Sequence, residues 1–308
     1  MTIKQNLIIQ ASWISIAGNA LLSISKITVG IIAGSLAVVG DGIDSATDIV
    51  ASVITLVTAR ILRKPPNIKY PYGYRRADTI ATKALSFVIF FAGAQLAISS
   101  ISKITEISSN EIPDNIAIYV TLFSIFGKSG LALYQFKVGS KVNSPMLIAN
   151  AKNMRNDVII SLTVLAGLFF TCILEFPVID IVTGLLVSLW IMRSAYFIFM
   201  ESNMELMDGI QDPAIYKDLF DAVNAIDGVN NPHRARIRKL GAMYVIAVDI
   251  EADGNLTLNK AHELAEEVEA GIKNKIDNVY DILVHVEPMG KEHKKEQFGI
   301  SEEDVKGK

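Results

Sequence analysis

Gly40-Asp41-Gly42-Ile43-Asp44-Ser45-Ala46-Thr47-Asp48 sets three carboxylates inside an apolar run long enough to cross a lipid bilayer. Asp41, Asp44 and Asp48 fall at i, i+3 and i+7, so in a helix all three share one face. Like charges that close need a cation or protons, and a charged side chain at membrane depth is costly enough to mark a functional site. A second stretch answers the first. Asn150, Asn153 and Asp157 repeat the i, i+3, i+7 pattern in another apolar segment, which predicts two helix faces meeting around one ion.

The surrounding composition is that of a multispanning membrane protein: 51% of the 308 residues are hydrophobic and the mean hydropathy is +0.36. A net charge of −3 argues against a nucleic-acid binder. The single cysteine, Cys172, cannot form an intrachain disulfide. The first apolar segment is too long, and lacks the small-residue pattern, for a cleavable signal peptide. At about twenty apolar residues per crossing, six spans are expected, at 8–32, 36–62, 79–103, 115–138, 146–172 and 177–200. Gly34-Ser35 leaves only a turn between the first two, and Pro65-Pro66 stops the second.

Arg63, Lys64, Lys69, Arg75 and Arg76 follow the second span, and Lys137 and Lys141 the fourth, whereas Glu106, Glu111, Asp114 and Glu175 sit in the opposite connections. The positive-inside rule then makes both termini cytoplasmic. At about 1.5 Å per residue, Asp44 and Asp48 lie roughly 12–18 Å below the outer end of the second span, and Asn153 and Asp157 roughly 10–17 Å from the inner end of the fifth. Across an apolar core of about 30 Å the two pairs come within reach near the middle.

The expected division is a membrane domain over 1–205, a soluble domain over 206–290 and a charged, disordered tail over 291–308. The soluble part reads as a helix at 213–225, strands at 233–240 and 243–251, a helix at 258–276 and a strand at 279–287. That α-β-β-α-β order predicts a ferredoxin-like or metallochaperone-like sandwich. Its small core makes dimerisation plausible. None of the four histidines falls in a span. His233, His262 and His285, with Asp249 and Glu287, offer nitrogen and carboxylate groups suited to a zinc-like divalent ion. Ordinary polar surface groups are the other reading of the same residues.

The chain resembles the cation diffusion facilitators, divalent-metal exporters of the inner or plasma membrane. The resemblance covers nearly the whole chain. It rests on Gly34-Ser35-Leu36-Ala37 leading to Asp44-x-x-x-Asp48, Pro71-Tyr72-Gly73 with Arg76-Ala77-Asp78, Arg155-x-Asp157-Val158, Gly228-Val229 through His233, Ala261-His262-Glu263 and His285-Val286-Glu287-Pro288. It implies six spans, a cytoplasmic ferredoxin-like domain, a homodimer, and alternating access coupled to inward proton flow. Carried over by position, the transport site is Asp44, Asp48, Asn153 and Asp157. Zinc members usually have His where this chain has Asn153. Four oxygen donors make a harder site that suits Mn²⁺ better than Zn²⁺, with Fe²⁺ next.

The resemblance also implies a regulatory metal site from His233, Asp249, His262, His285 and Glu287, and an Arg76–Asp208 pair that braces the membrane domains against the cytoplasmic module. Tyr70 and Tyr74 stand where zinc members often place loop histidines, so a loop metal site is not expected. Asp41 and Asn150 are expected either to support or admit the ion, or simply to pair helices. Lys128, in mid-span, reads as snorkelling or pairing ahead of countering the site's charge. The implied mechanism is Mn²⁺ entry from the cytoplasm as protons leave the carboxylates, then displacement of the ion by protons from outside. A Zn²⁺ or Cd²⁺ exporter and a membrane-bound metal sensor are the alternatives. An intramembrane aspartyl protease is disfavoured, because no water-nucleophile motif accompanies the aspartates.

Overall fold

Six long helices make up the first two thirds of the chain in the computed structural model: α1 (Ile3–Ile32), α2 (Leu36–Leu62), α3 (Ala77–Thr105), α4 (Ile116–Val142), α5 (Pro145–Leu174) and α6 (Val178–Leu206). The structure describes residues 3–62, 64–105, 112–142, 145–241, 243–290 and 298–306. Arg63, Glu106, Glu111 and His293, and the first part of the expected tail, lie outside them. Each of the six helices has 27 to 30 residues, so each is about 40–45 Å long and overreaches the hydrocarbon core. Among the described residues, five helices are long and apolar enough to cross a membrane. The sixth, α2, carries Asp41, Asp44 and Asp48 in its first half.

The start of α2 is fixed by a remote acid. Gly34 takes φ +75° in the turn from α1, a conformation that costs glycine nothing. Ser35 Oγ then accepts from Val38 N at 3.2 Å as a helix cap. Asp180, at the start of α6 and 2% exposed, accepts from Ser35 Oγ at 2.5 Å and from Leu36 N at 2.9 Å. A carboxylate at a helix N-terminus satisfies donors with no intrahelical partner and complements the helix dipole. Ala37 and Val38 of α2 pack with Leu85, Ile89 and Leu96 of α3, Val164 and Leu168 of α5, and Val187 and Ile191 of α6. Phe91, Phe126 and Phe169 project outward as exposed apolar surface, which a bilayer would cover.

The chain divides into two compact units, Met1–Arg60 with Ala81–Phe199, and Ile61–Ile80 with Met200–Lys308. The second contains α7 (Ala214–Asn224), β1 (Asn230–Leu240), β2 (Met243–Ala252), α8 (Leu258–Lys275) and β3 (Val279–Pro288). The sheet order is β1-β2-β3, with β1 antiparallel and β3 parallel to β2. Leu219, Phe220 and Val223 of α7 and Val268 and Ile272 of α8 pack on Ile246, Val248 and Ile250 of the central strand. The elements agree with the sequence reading, except that β1 begins three residues early.

The described end of the expected tail lies against the sheet. Ile300 exchanges two backbone hydrogen bonds with Ala235 on the outer edge of β1, each 3.0 Å. A short helix, α9 (Glu302–Lys306), follows, opened by Ser301 donating through N and Oγ to Asp304 at 2.9 and 2.8 Å. An unpaired strand edge is a ready template for a returning segment, which the charge of the tail concealed.

Candidate metal centres

Helices α2 and α5 meet antiparallel along their polar faces. Asn153 Nδ2 donates to Asp48 Oδ1 at 3.3 Å, and two turns away Ser161 Oγ donates to Asp41 Oδ1 at 2.8 Å. Between them, Lys128 of α4 places Nζ 2.8 Å from Asp157 Oδ2 and 3.7 Å from Asp48 Oδ2, and donates to Ser45 Oγ at 3.2 Å. Asp48, Asn153 and Asp157 are thereby brought together, with Asp44 one turn from Asp48 on the same helix face. Asp157 is buried and Asn153 exposed. Because the Asn153 amide donates through nitrogen, its carbonyl oxygen is left as a neutral donor for a cation. Among the described residues, no hydrogen bond or ion pair involves the Asp44 carboxylate.

Asp41 is engaged elsewhere. Lys26 of α1, fully buried, lies with Nζ 2.7 Å from Asp41 Oδ2 and donates to Ser161 Oγ at 2.9 Å. Since Ser161 donates onward to Asp41, ammonium, hydroxyl and carboxylate close a ring. Gly42 permits the approach: a Cβ there would stand 3.0 Å from Ile27 N and 3.1 Å from Lys26 Cβ. Asn150 is exposed. Since the helices run antiparallel, Asp41 and Asn150 lie at opposite ends of the polar face, and the structure does not bring them together.

In the second unit a distorted strand builds a smaller cluster. Register shifts on both sides of His233 each insert one residue into β1, and Asn231 and Arg234 take φ +41° and +47°. Such bulges re-aim side chains, so that consecutive residues His233 and Arg234 both turn to the Asp249 side. Ligand atoms of His233, Asp249 and Glu287 lie within 4.8 Å of one another. His233 Nδ1 meets the Asn231 carbonyl at 2.7 Å. A carbonyl only accepts, so Nδ1 carries a proton, and Nε2 lies 3.6 Å from Glu287 Oε2. One imidazole and two carboxylates form a donor set that fits a borderline divalent ion.

Arg234 Nη1 already holds Asp249 Oδ2 at 2.8 Å. His285 stands beside the cluster, Nε2 3.2 Å from Glu287 Oε1. His262, on α8, is exposed, lies 3.4 Å from Glu266 and is outside the cluster. Arg76 pairs with the Asp208 carboxylate and donates to Leu206 O at 3.1 Å. Tyr70 and Tyr74 meet at a tilt of 40° with ring centroids 4.6 Å apart.

The family description "Cation efflux transmembrane domain" matches residues 12–207. The chain belongs to the cation efflux family. The description "Cation efflux protein, cytoplasmic domain" matches residues 211–289. The uncharacterized transporter YdbO of Bacillus subtilis (strain 168) is 33% identical over 278 residues, 89% of this chain and 93% of that protein. The manganese efflux system protein MneS of the same organism is 32% identical, covering 90% and 94%. The manganese efflux system protein MneP, also from that strain, is 27% identical, covering 89% and 94%. The chain is thus a divalent-metal cation efflux transporter, a multi-pass membrane protein with a cytoplasmic C-terminal domain.

In this cation efflux protein two charged groups and one hydroxyl escape motif reading. Lys26 is the sole charge in its expected span, and a lone ammonium in an apolar helix demands a counter-charge; that signal was available. Asp180 and Ser161 carry no such mark, because an acid near a span's end and a serine within one are both ordinary.

Proposed function

We propose that the chain exports Mn²⁺ from the cytoplasm in exchange for protons, by alternating access, as a homodimer in the cell membrane with both termini cytoplasmic. The observation that carries this reading is the meeting of Asp48, Asn153 and Asp157 between α2 and α5 with Asp44 one turn away. All are oxygen donors, and hard oxygen sets favour Mn²⁺ over Zn²⁺, which gains more from imidazole and thiolate. Two relatives named for manganese efflux support the choice of ion. Three carboxylates bind the cation as protons leave, and protons arriving from the opposite side return the site to charge balance without the ion.

In this reading residues 1–205 perform transport and 206–290 pair the protomers and sense metal through His233, Asp249 and Glu287, with His285 beside them. Arg76 and Asp208 brace the segment joining the helices to that domain. His262, turned to Glu266, is not among the proposed ligands.

Metal flux into proteoliposomes under an imposed pH gradient tests the proposal, comparing Mn²⁺, Fe²⁺, Zn²⁺ and Cd²⁺ for the wild type and Asp48→Ala. Proton-coupled Mn²⁺ flux that Asp48→Ala abolishes is the expected result. Zn²⁺ flux without Mn²⁺ flux would overturn the ion assignment, and flux in Asp48→Ala equal to wild type would overturn the site.

A further inference from the structure

The oxygens assigned to the ion already hold a cation that belongs to the protein. Lys128 reaches from α4 with its side chain 1% exposed, and its Nζ touches Asp157 at 2.8 Å while standing 3.7 Å from Asp48. A bond from Zn²⁺ to a carboxylate oxygen is about 2.0–2.2 Å, so a divalent ion lodged between Asp48 and Asp157 enters the space where the ammonium now stands. The two compete for that space and repel each other there.

The other buried lysine shows what a permanent pair looks like. Lys26 is closed into a ring with Asp41 and Ser161, and none of the proposed ligands takes part. Lys128 has no such ring: its further contact is a 3.2 Å hydrogen bond to Ser45, and its flexible four-carbon stem lets the ammonium withdraw. With Lys26 and Lys128 set against Asp41, Asp44, Asp48 and Asp157, the cluster carries two formal negative charges in excess, the charge of one divalent ion.

We infer that Lys128 is a tethered competitor of the transported ion and sets its affinity. The entering ion pushes the ammonium off Asp48 and Asp157, and the ammonium returns to those carboxylates as the ion departs. Half-buried Asp44 and Asp48 with buried Asp157 would otherwise hold a divalent ion too tightly for turnover, because the emptied site would leave the Asp157 charge buried without a counter-ion. This inference rests on the reading of Asp48 and Asp157 as ligands.

Equilibrium binding of Mn²⁺ to the detergent-solubilised full chain, paired with proteoliposome flux, tests it in the wild type, Lys128→Met, Lys128→Arg and Asp48→Ala. Lys128→Met is expected to bind Mn²⁺ about tenfold or more tightly, with a lower half-saturation and a slower maximal flux, while Lys128→Arg keeps the charge and stays within about threefold of wild-type affinity. Unchanged or weaker binding in Lys128→Met overturns the competition and leaves the ligands standing. A wild type that binds Mn²⁺ no better than Asp48→Ala overturns the ligand reading itself.

Should Lys128→Met fail to fold, the wild type supplies the readout by lysine acetylation followed by mass spectrometry. Mn²⁺ is expected to change modification at Lys128 several-fold and leave Lys26 unaltered. No change at Lys128 under saturating Mn²⁺ overturns the inference.

Discussion

Replacing Lys26 with methionine separates a structural carboxylate from a transporting one. The Lys26–Asp41 pair spans 2.7 Å, with side chains 0% and 1% exposed, and Ser161 uses its hydroxyl to join the two. Removing one partner of so buried a pair leaves a charge without its counter-ion and costs about 3–5 kcal/mol, whereas replacing both by neutral groups of similar volume is often close to neutral. At roughly 2–4 °C per kcal/mol for a domain of some 200 residues, Lys26→Met and Asp41→Asn should each lower the melting temperature by on the order of 10 °C. The double variant should recover most of that loss.

Thermal unfolding of the solubilised protein, followed by size-exclusion chromatography, gives the four corners of the cycle, and the coupling should amount to most of either single effect. Mn²⁺ flux measured on the same four proteins asks whether Asp41 also serves the ion. In the double variant flux should remain near wild type, because Asp41 is spent on α1. Additive losses of stability would refute the pairing argument. Loss of flux in a stable double variant, as deep as that of Asp48→Ala, would show that Asp41 belongs to the ion's path.

Other changes probe other joints of the molecule. Asn153→His puts an imidazole beside Asp48 and should shift the Zn²⁺:Mn²⁺ flux ratio roughly tenfold or more towards Zn²⁺; an unchanged ratio would dismiss residue 153 as a selectivity determinant. Arg234→Ala removes the guanidinium that lies 2.8 Å from Asp249. On an Asp48→Ala background, calorimetric Zn²⁺ binding should tighten about tenfold, and equal affinity would mean that Arg234 does not compete for that carboxylate. Gly299 adopts φ +99°, and a Cβ there would fall 2.6 Å from Arg234 Cα. Gly299→Ala should therefore loosen residues 298–306 and speed hydrogen exchange at the Ala235 amide by about tenfold; unaltered exchange would show that the returning segment does not protect that edge.

How much of this was legible in the sequence depended on whether the deciding interaction lay within one helix or between two. The i, i+3, i+7 spacing of Asp41, Asp44 and Asp48 is a property of one helix, and so is the matching pattern on α5; both survive without knowledge of packing. Which residue faces which is a property of the pair. The antiparallel meeting sets Asp41 beside Ser161 and carries Asn150 to the opposite end, so two residues that look equivalent in sequence, each one turn ahead of its pair, have unrelated surroundings. In β1 the limit is similar: Asn231-Pro232 marks an irregular strand, but Asn230-Asn231-Pro232-His233-Arg234 does not announce two bulges or a positive φ at Arg234. Without them His233 and Arg234 would point to opposite faces. The lysines bring the point to its sharpest form. Lys26 and Lys128 are chemically identical, buried to the same degree and each set against an aspartate. They differ in that Ser161 closes a ring around Lys26 while Lys128 lies across two carboxylates at once. A closed ring holds its ammonium as part of the structure; a bridged pair of carboxylates offers a second cation the same footing.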